Sequence, residues 1–330
     1  MAKDMIISRT PNRISFFGGG TDYPIWYENY GGEVLSATIN KYSYITLRYL
    51  PQFFNYKFRV RYFRTEETNN IEEISHNSIR ECAKFLKLNR GFELVHNADL
   101  PARSGLGSSS AFTVGMLNAV HALQTYMPTK RELALNAITI EQKIIGESVG
   151  SQDQVSAAWG GFNLIKFSKQ NTFEVNPLIL SSELKEELEK KLLLMFTGFP
   201  RNASKIAEKQ IKLTPSRFRE LTEMRSLTKD ALILLTTDLD KFGKLLNEQW
   251  KLKRSLSDKI SNVELDDIYQ TGLKNGALGG KILGAGGGGF MLFYAPESKH
   301  NKIKSAFAKK LFVPFRFENA GSQIIYYTHE

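Results

Sequence analysis

A single cysteine, Cys82, stands among 330 residues. No disulfide can close within the chain and no thiolate cluster can hold zinc, which fits a reducing compartment. Long apolar runs are missing too. Nowhere do eighteen apolar residues follow one another, which argues against a membrane span. Met1–Thr10 lacks the apolar stretch of a secretory signal, so a cytoplasmic location is expected. Internal repeats and low-complexity linkers are also absent, so any domains should share a tight interface, with an active site in the cleft between them. What is present is ordinary globular composition, with 42% apolar and 24% charged residues, in a chain long enough for two packed domains.

The unusual global quantity is a formal net charge of +10. It suits anionic ligands such as nucleotides and sugar phosphates. Yet Lys185, Lys190, Lys191, Lys205, Lys209 and Lys212 lie among acidic or apolar residues and read as solvated helix faces. No basic–aromatic motif accompanies the charge, so nucleic acid is not an expected partner.

Strand-like segments fill the first third: Met5–Arg9, Arg13–Phe17, Tyr42–Leu50 and Lys57–Tyr62. Helical spacing runs from Ile71 to Leu88, and Phe92–His96 reads as a strand entering the loop Asp99–Ser110. Helices are expected from about Ala111 to Leu123 and from Thr129, boxed by Glu132, to about Glu147. A strand at Phe162–Phe167 and a turn-rich stretch to Pro177 close a first domain, set at 1–180. The second, 181–330, begins with a strand at Leu192–Thr197 and continues with helices in Ser204–Leu213, Ser216–Leu235, Leu239–Leu252 and Leu265–Gly276. Strands Lys281–Leu283 and Phe290–Tyr294 flank a glycine run, and a helix near Ser298–Leu311 precedes a last strand, Gln323–Thr328.

Three segments carry chemistry. In Pro101–Ala111, Gly105 and Gly107 let the backbone turn tightly, and Ser108, Ser109 and Ser110 open a helix whose unpaired amides point at an anion. Ser104 to Ser110, including Leu106, is therefore an expected phosphate loop, and Ser108 or Ser109 can complete the shell of a magnesium ion. The Gly-Lys-Ser/Thr ending of a Walker A loop is absent. The run Gly284–Gly289 formally matches a dinucleotide fingerprint, but a strand rather than a helix follows it, which disfavours a dehydrogenase. So many glycines suggest close approach by another backbone or by phosphate, and Gly286 and Gly287 are placed on the substrate side. The third segment, Pro11–Tyr23, sets Arg13 before an apolar strand and Asp22 after a glycine turn. Arg13 suits charge developing on a transferred phosphoryl group, and Asp22 suits substrate hydroxyls. Glu141, in a helix, and Asp153, in a turn, offer one carboxylate for magnesium and one for the acceptor hydroxyl.

Together these segments closely resemble the three motifs of the galactokinase, homoserine kinase, mevalonate kinase and phosphomevalonate kinase (GHMP) superfamily, in order and spacing across almost the whole chain. Pro101, Gly105, Leu106, Gly107, Ser108 and Ser109 match its most specific pattern. The resemblance implies an α+β fold of two domains: an N-terminal α/β domain with a left-handed crossover and a ferredoxin-like C-terminal domain. It maps the magnesium ligands onto Glu141 and a loop serine, Ser108 or Ser109, and the catalytic aspartate onto Asp153, with Arg13 beside it. Galactokinases carry Glu-His where Gly19 and Gly20 stand here, ahead of the matching Thr21, Asp22 and Tyr23, so galactose is not the expected acceptor.

Phe17–Asp22 and Phe196–Ser204 are similar to the branch of heptose 7-phosphate kinases and, more distantly, fucokinases. That likeness implies substrate contacts from Gly19, Gly20, Thr21 and Asp22, with Arg201 and Lys205 on a substrate phosphate. The expected activity is transfer from MgATP to the anomeric hydroxyl of a heptose 7-phosphate, giving a 1,7-bisphosphate for surface polysaccharide. Asp153 would accept the proton or stabilise the attacking oxygen; sequence leaves both open. Alternatives are a fucokinase-like enzyme acting on a free sugar and a non-catalytic metabolite sensor. A sensor should lack an essential acid or the loop, yet both are present. A homodimer is compatible with the sequence.

Overall fold

The computed structural model describes residues 5–102, 104–170, 172–198 and 203–328. Strands β1 (Met5–Phe17) and β2 (Gly32–Tyr49) form a long antiparallel pair joined through helix α1 (Pro24–Tyr30). Pro11 sits where their register shifts, a position where a residue without an N–H disturbs the ladder least. A hairpin of β3 (Phe58–Arg61) and β4 (Thr65–Thr68) follows; α2 (Asn77–Phe85) then leads to β5 (Phe92–Ala98), parallel to β3. Helices α3 (Ser108–Leu123), α4 (Lys130–Ile138) and α5 (Gln152–Trp159) come next, then the hairpin β6 (Phe162–Ser168) and β7 (Thr172–Pro177). β2 is the hub: Ser43–Tyr49 pairs with β5, and Gly32–Ala37 pairs with β6.

Helix α6 (Ser182–Lys190) leads to β8 (Leu192–Phe196). Four helices follow: α7 (Ala203–Leu213), α8 (Phe218–Thr237), α9 (Leu239–Ser255) and α10 (Val263–Lys274). Then come β9 (Gly279–Ile282), β10 (Phe290–Tyr294), α11 (His300–Ala306), β11 (Leu311–Phe312) and β12 (Gln323–Thr328). The second sheet is antiparallel in the order β11-β8-β10-β9. Taken as β8-helices-β9-β10-α11-β11, that order is the ferredoxin-like arrangement expected of the second domain. β12 crosses back and pairs with β1, on the edge of the first sheet.

Burial along β1 explains where the site forms. Its first half alternates half-buried and buried residues, the mark of a strand covered on one face. From Thr10 onward every residue is buried. Here α3 packs on one face, while Phe16 and Phe17 meet Phe242 of α9 on the other. Arg13 and Ser15, two residues apart on one face, are thereby carried into the junction of the two sheets. α3 is buried almost all round, as a central helix must be.

Several elements differ from expectation. β1 is one strand rather than two, because its bulge absorbs Pro11. The region Ile71–Leu88 splits into a 3-10 turn at Ile71–Glu73 and α2. The stretch before Pro177 is β7 rather than turns. The helix that starts after Thr129 keeps half of its expected box: Thr129 Oγ1 accepts from Glu132 N at 3.1 Å, while the Glu132 carboxylate accepts from Tyr126 OH at 2.8 Å. It then widens into a π-helical segment at Thr139–Ile144.

Candidate active site

The loop 104–107 turns through Gly105 and Gly107, at φ 88° and 78°, conformations that glycine takes without a Cβ penalty. α3 begins at Ser108, three residues earlier than helical spacing suggests, and no side chain caps it. Its first amides are therefore open to a ligand, and its dipole favours an anion there. Ser108 is half-buried, Ser109 is exposed and Ser110 is buried. Gly107 also allows close approach. A Cβ there would lie 3.2 Å from Arg13 Cγ and 3.6 Å from Asp153 Cγ.

Arg13, 3% exposed, ties the loop to the catalytic candidate. Its Nε and Nη2 donate to Asp153 Oδ1 and Oδ2, each at 2.8 Å, and Nη1 donates to Gly105 O at 2.7 Å. The Arg13 backbone N–H donates to Leu106 O at 2.9 Å. The sequence points Arg13 at the moving phosphoryl group. In the structure its guanidinium grips Asp153 and the loop, a bidentate geometry that fixes a carboxylate's orientation. Asp153 lies in the first turn of α5 rather than in a turn before it, and a quarter of its side chain remains open.

One pocket gathers these groups from both halves of the chain. Arg13, Ser15, Gly19, Gly20, Asp22, Gln152 and Asp153 meet Ala207, Lys253, Lys281, Gly284 and Ala285 across it. Asp22 is buried, its Oδ1 accepting from Gly20 N at 2.8 Å and its Oδ2 from Gln152 Nε2 at 2.9 Å. Burial first, and the neighbouring Asp153 charge after it, push its carboxyl up. Gly150 lets Asp22 lie flat against the backbone, since a Cβ there would sit 1.9 Å from Oδ2. Lys281 is buried and donates to Phe16 O at 3.0 Å. Burial, then the charges of Lys253 and Arg13, drive its ammonium well below the ordinary lysine range. Thr21 is buried and spends its hydroxyl on Gly18 O and Glu33 O, which holds the glycine turn rather than facing the pocket.

Glu141 lies on the π-helical segment and is fully buried. Its Oε2 accepts from Ser110 Oγ at 2.8 Å and from Gln154 Nε2, while Oε1 has no hydrogen-bond partner among the described residues. Desolvation, reinforced by Glu147, pushes its carboxyl up to about 7. A fully buried carboxylate with the Ser110, Gln154 and Thr113 side chains around it, at the serine end of a phosphate-type loop, fits a hard divalent cation with few protein ligands.

Gly286 and Gly287 do not line the pocket; Gly284 and Ala285 do. A Cβ at Gly286 would meet Ile260 O at 2.6 Å, and one at Gly287 would meet the Ile206 side chain at 2.2 Å. These glycines serve backbone packing. Gly289 is part of the same device: its Cβ would lie 2.2 Å from Ser104 O, which accepts from Phe290 N at 3.2 Å. Arg201 lies outside the described residues. Lys205, on α7, is exposed. Gln152, Gln154, Gln210 and Lys253 escape the sequence reading because isolated glutamines and lysines on helices look like solvated faces, and Ser15 and Lys281 because a lone polar residue in a short strand looks like its outer face. Trp250 and Lys253, three apart on α9 and both buried, are the one available signal.

Two family models match the chain: GHMP kinases N terminal domain over residues 77–161 and GHMP kinases C terminal over 228–313. A D-glycero-alpha-D-manno-heptose 7-phosphate kinase of Campylobacter jejuni is 33% identical over 91% of this chain and 92% of its own length. The bifunctional fucokinase/GDP-fucose pyrophosphorylase of Arabidopsis thaliana is 26% identical over 88% of this chain and 30% of its own length. Among solved structures, a D-glycero-D-manno-heptose 1-phosphate kinase from Bacteriodes thetaiotaomicron superposes with a TM-score of 0.77 at 25% identity, covering 97% and 99% of the two chains. Lactococcus lactis galactokinase in complex with galactose has a TM-score of 0.74 at 19% identity, over 97% and 95%, a likeness of fold.

Proposed function

Since the chain belongs to the GHMP kinases, a family of ATP-dependent phosphotransferases, we propose that it phosphorylates the anomeric hydroxyl of D-glycero-D-manno-heptose 7-phosphate, giving the 1,7-bisphosphate. The heptose kinase relative supports the acceptor, and the observation that carries the phosphotransfer is the Arg13 clamp. One guanidinium holds both oxygens of Asp153 and the carbonyl of Gly105, so the acid and the phosphate loop share one rigid support.

In this reading the amides from Gly105 to Ser110 bind the triphosphate of ATP, as open helix N-termini bind phosphate. Glu141 and the Ser108 hydroxyl would hold magnesium, which when bound offsets negative charge on the phosphate oxygens. Asp22 accepts hydrogen bonds from acceptor hydroxyls. Asp153 accepts one from the attacking hydroxyl and receives its proton as the new O–P bond forms and the bond to ADP breaks. Arg13 keeps Asp153 oriented through the transfer. Changing Asp153 to Asn should lower kcat by about 10²-fold or more while ATP affinity stays near that of the wild type. Turnover equal to the wild type would remove Asp153 from the chemistry.

The acceptor is tested by ADP release from purified protein with heptose 7-phosphate, heptose 1-phosphate, L-fucose and galactose. The two heptose kinase relatives differ in which phosphate their names mention, so both esters belong in the panel. Heptose 7-phosphate should give the highest kcat/KM. A free sugar outperforming it would shift the reading to a fucokinase-like enzyme. No release with any acceptor would leave a metabolite-binding protein of this fold.

A further inference from the structure

Gly19 and Gly20 leave a stretch of pocket floor bare of side chains, and other elements turn polar atoms toward it. A Cβ on Gly19 would lie 3.4 Å from Ser15 Oγ and 3.6 Å from Gln152 Nε2, whereas behind Gly20 the space is filled, its Cβ meeting Gln210 Nε2 at 3.0 Å and the Leu221 and Leu256 side chains at 3.3 and 3.6 Å. Ser15 Oγ, Gln152 Oε1 and Gln210 Nε2 are buried without a hydrogen-bond partner among the described residues. Native interiors seldom leave such atoms unpaired, so the two on pocket-lining residues, Ser15 and Gln152, point to a polar ligand. Lys253 closes the ring from α9. It is 4% exposed and donates to Gln210 Oε1 at 2.9 Å and, at 3.4 Å, to Gly19 O. Gln210 stands behind this ring rather than in the pocket lining, and its Oε1 holds the Lys253 ammonium in place.

We propose that Lys253, positioned by Gln210, is the donor half of a subsite for the acceptor's ring hydroxyls, and that Asp22 is its accepting half. The proposal rests on the sugar kinase reading above and deepens it. A hydroxyl both donates and accepts, so a fixed carboxylate and a fixed ammonium lining one pocket suit a pair of neighbouring hydroxyls. A phosphate suits this spot poorly, because the Asp22 carboxylate would stand beside it. The subsite therefore reads the sugar ring, and the phosphate of a sugar phosphate is bound elsewhere.

The test is Lys253→Met, assayed with heptose 7-phosphate and with unphosphorylated heptose, the latter as substrate or competitive inhibitor. KM or Ki for both sugars should rise on the order of 10- to 100-fold, as for loss of a charged hydrogen bond, while KM for ATP stays within about 3-fold. A loss confined to the phosphorylated sugar would make Lys253 a phosphate ligand and overturn the proposal, as would unchanged sugar constants or an equal rise for ATP. Should Lys253→Met fail to fold, Gln210→Leu decides by the same readings, with an expected rise of about 3- to 10-fold. A folded wild type silent toward every sugar would instead sink the sugar kinase reading, and this subsite with it.

Discussion

Glu141 is fully buried, and desolvation pushes its carboxyl up to about 7, well above the ordinary 4.5. The folded chain therefore binds this proton more tightly than the unfolded chain. The resulting contribution to stability is fully present below pH 4.5 and is lost as pH rises through about 7. Above that pH Glu141 weakens the apo fold, by up to about 3 kcal/mol. Glu141→Gln should raise the melting temperature of the metal-free protein at pH 8 and change it little at pH 4.5, while lowering magnesium-dependent turnover. A variant less stable at pH 8 than at pH 4.5, relative to wild type, would contradict this sign. At this scale the sequence was informative about types and poor about partners. Asp22, Glu141 and Asp153 are legible as candidate acids from the motifs around them. That Ser110 donates to Glu141, or that Arg13 grips Asp153 across 140 positions, depends on the tertiary fold.

At the scale of elements, two glycine-rich turns meet. Ser104, at the start of the phosphate loop, is pinned from behind by Gly289 and Phe290 of the second turn. Gly289 has φ 89°, so an alanine there meets both a conformational penalty and the Ser104 carbonyl. Gly289→Ala should raise KM for ATP on the order of 10-fold and lower the melting temperature. An unchanged KM for ATP would separate the two turns. Legibility at this scale followed burial. Apolar and β-branched residues at strand length make the first half of β1 readable, although only its burial alternates; Gly32–Ile39 of β2, buried on both faces, mixes small and polar residues into the core and was missed. α6 was missed for the opposite reason. It is almost wholly solvated, with Leu188 as its buried anchor, although Ser181 caps it by accepting from Leu184 N at 3.2 Å. The π-helical segment carrying Glu141 adds no residue pattern of its own, so periodicity could not announce it.

At the scale of the molecule, the pocket exists because the chain folds its second half back on its first. Arg13, Asp22 and Asp153 come from one side and Lys253, Lys281 and Ala285 from the other, while β12 returns to β1. The expected cleft between halves was legible from the lack of any linker. The cations that line it were hidden inside a general excess of positive charge. The account's central claim is that the amides leading into α3 cradle the triphosphate, within reach of Glu141 and Asp153. Its most direct test is a crystal structure with magnesium and a non-hydrolysable ATP analogue. The β- and γ-phosphates should accept hydrogen bonds from the backbone of residues 105–110, with the metal touching Glu141. An analogue bound elsewhere, with that backbone free of phosphate, would contradict it.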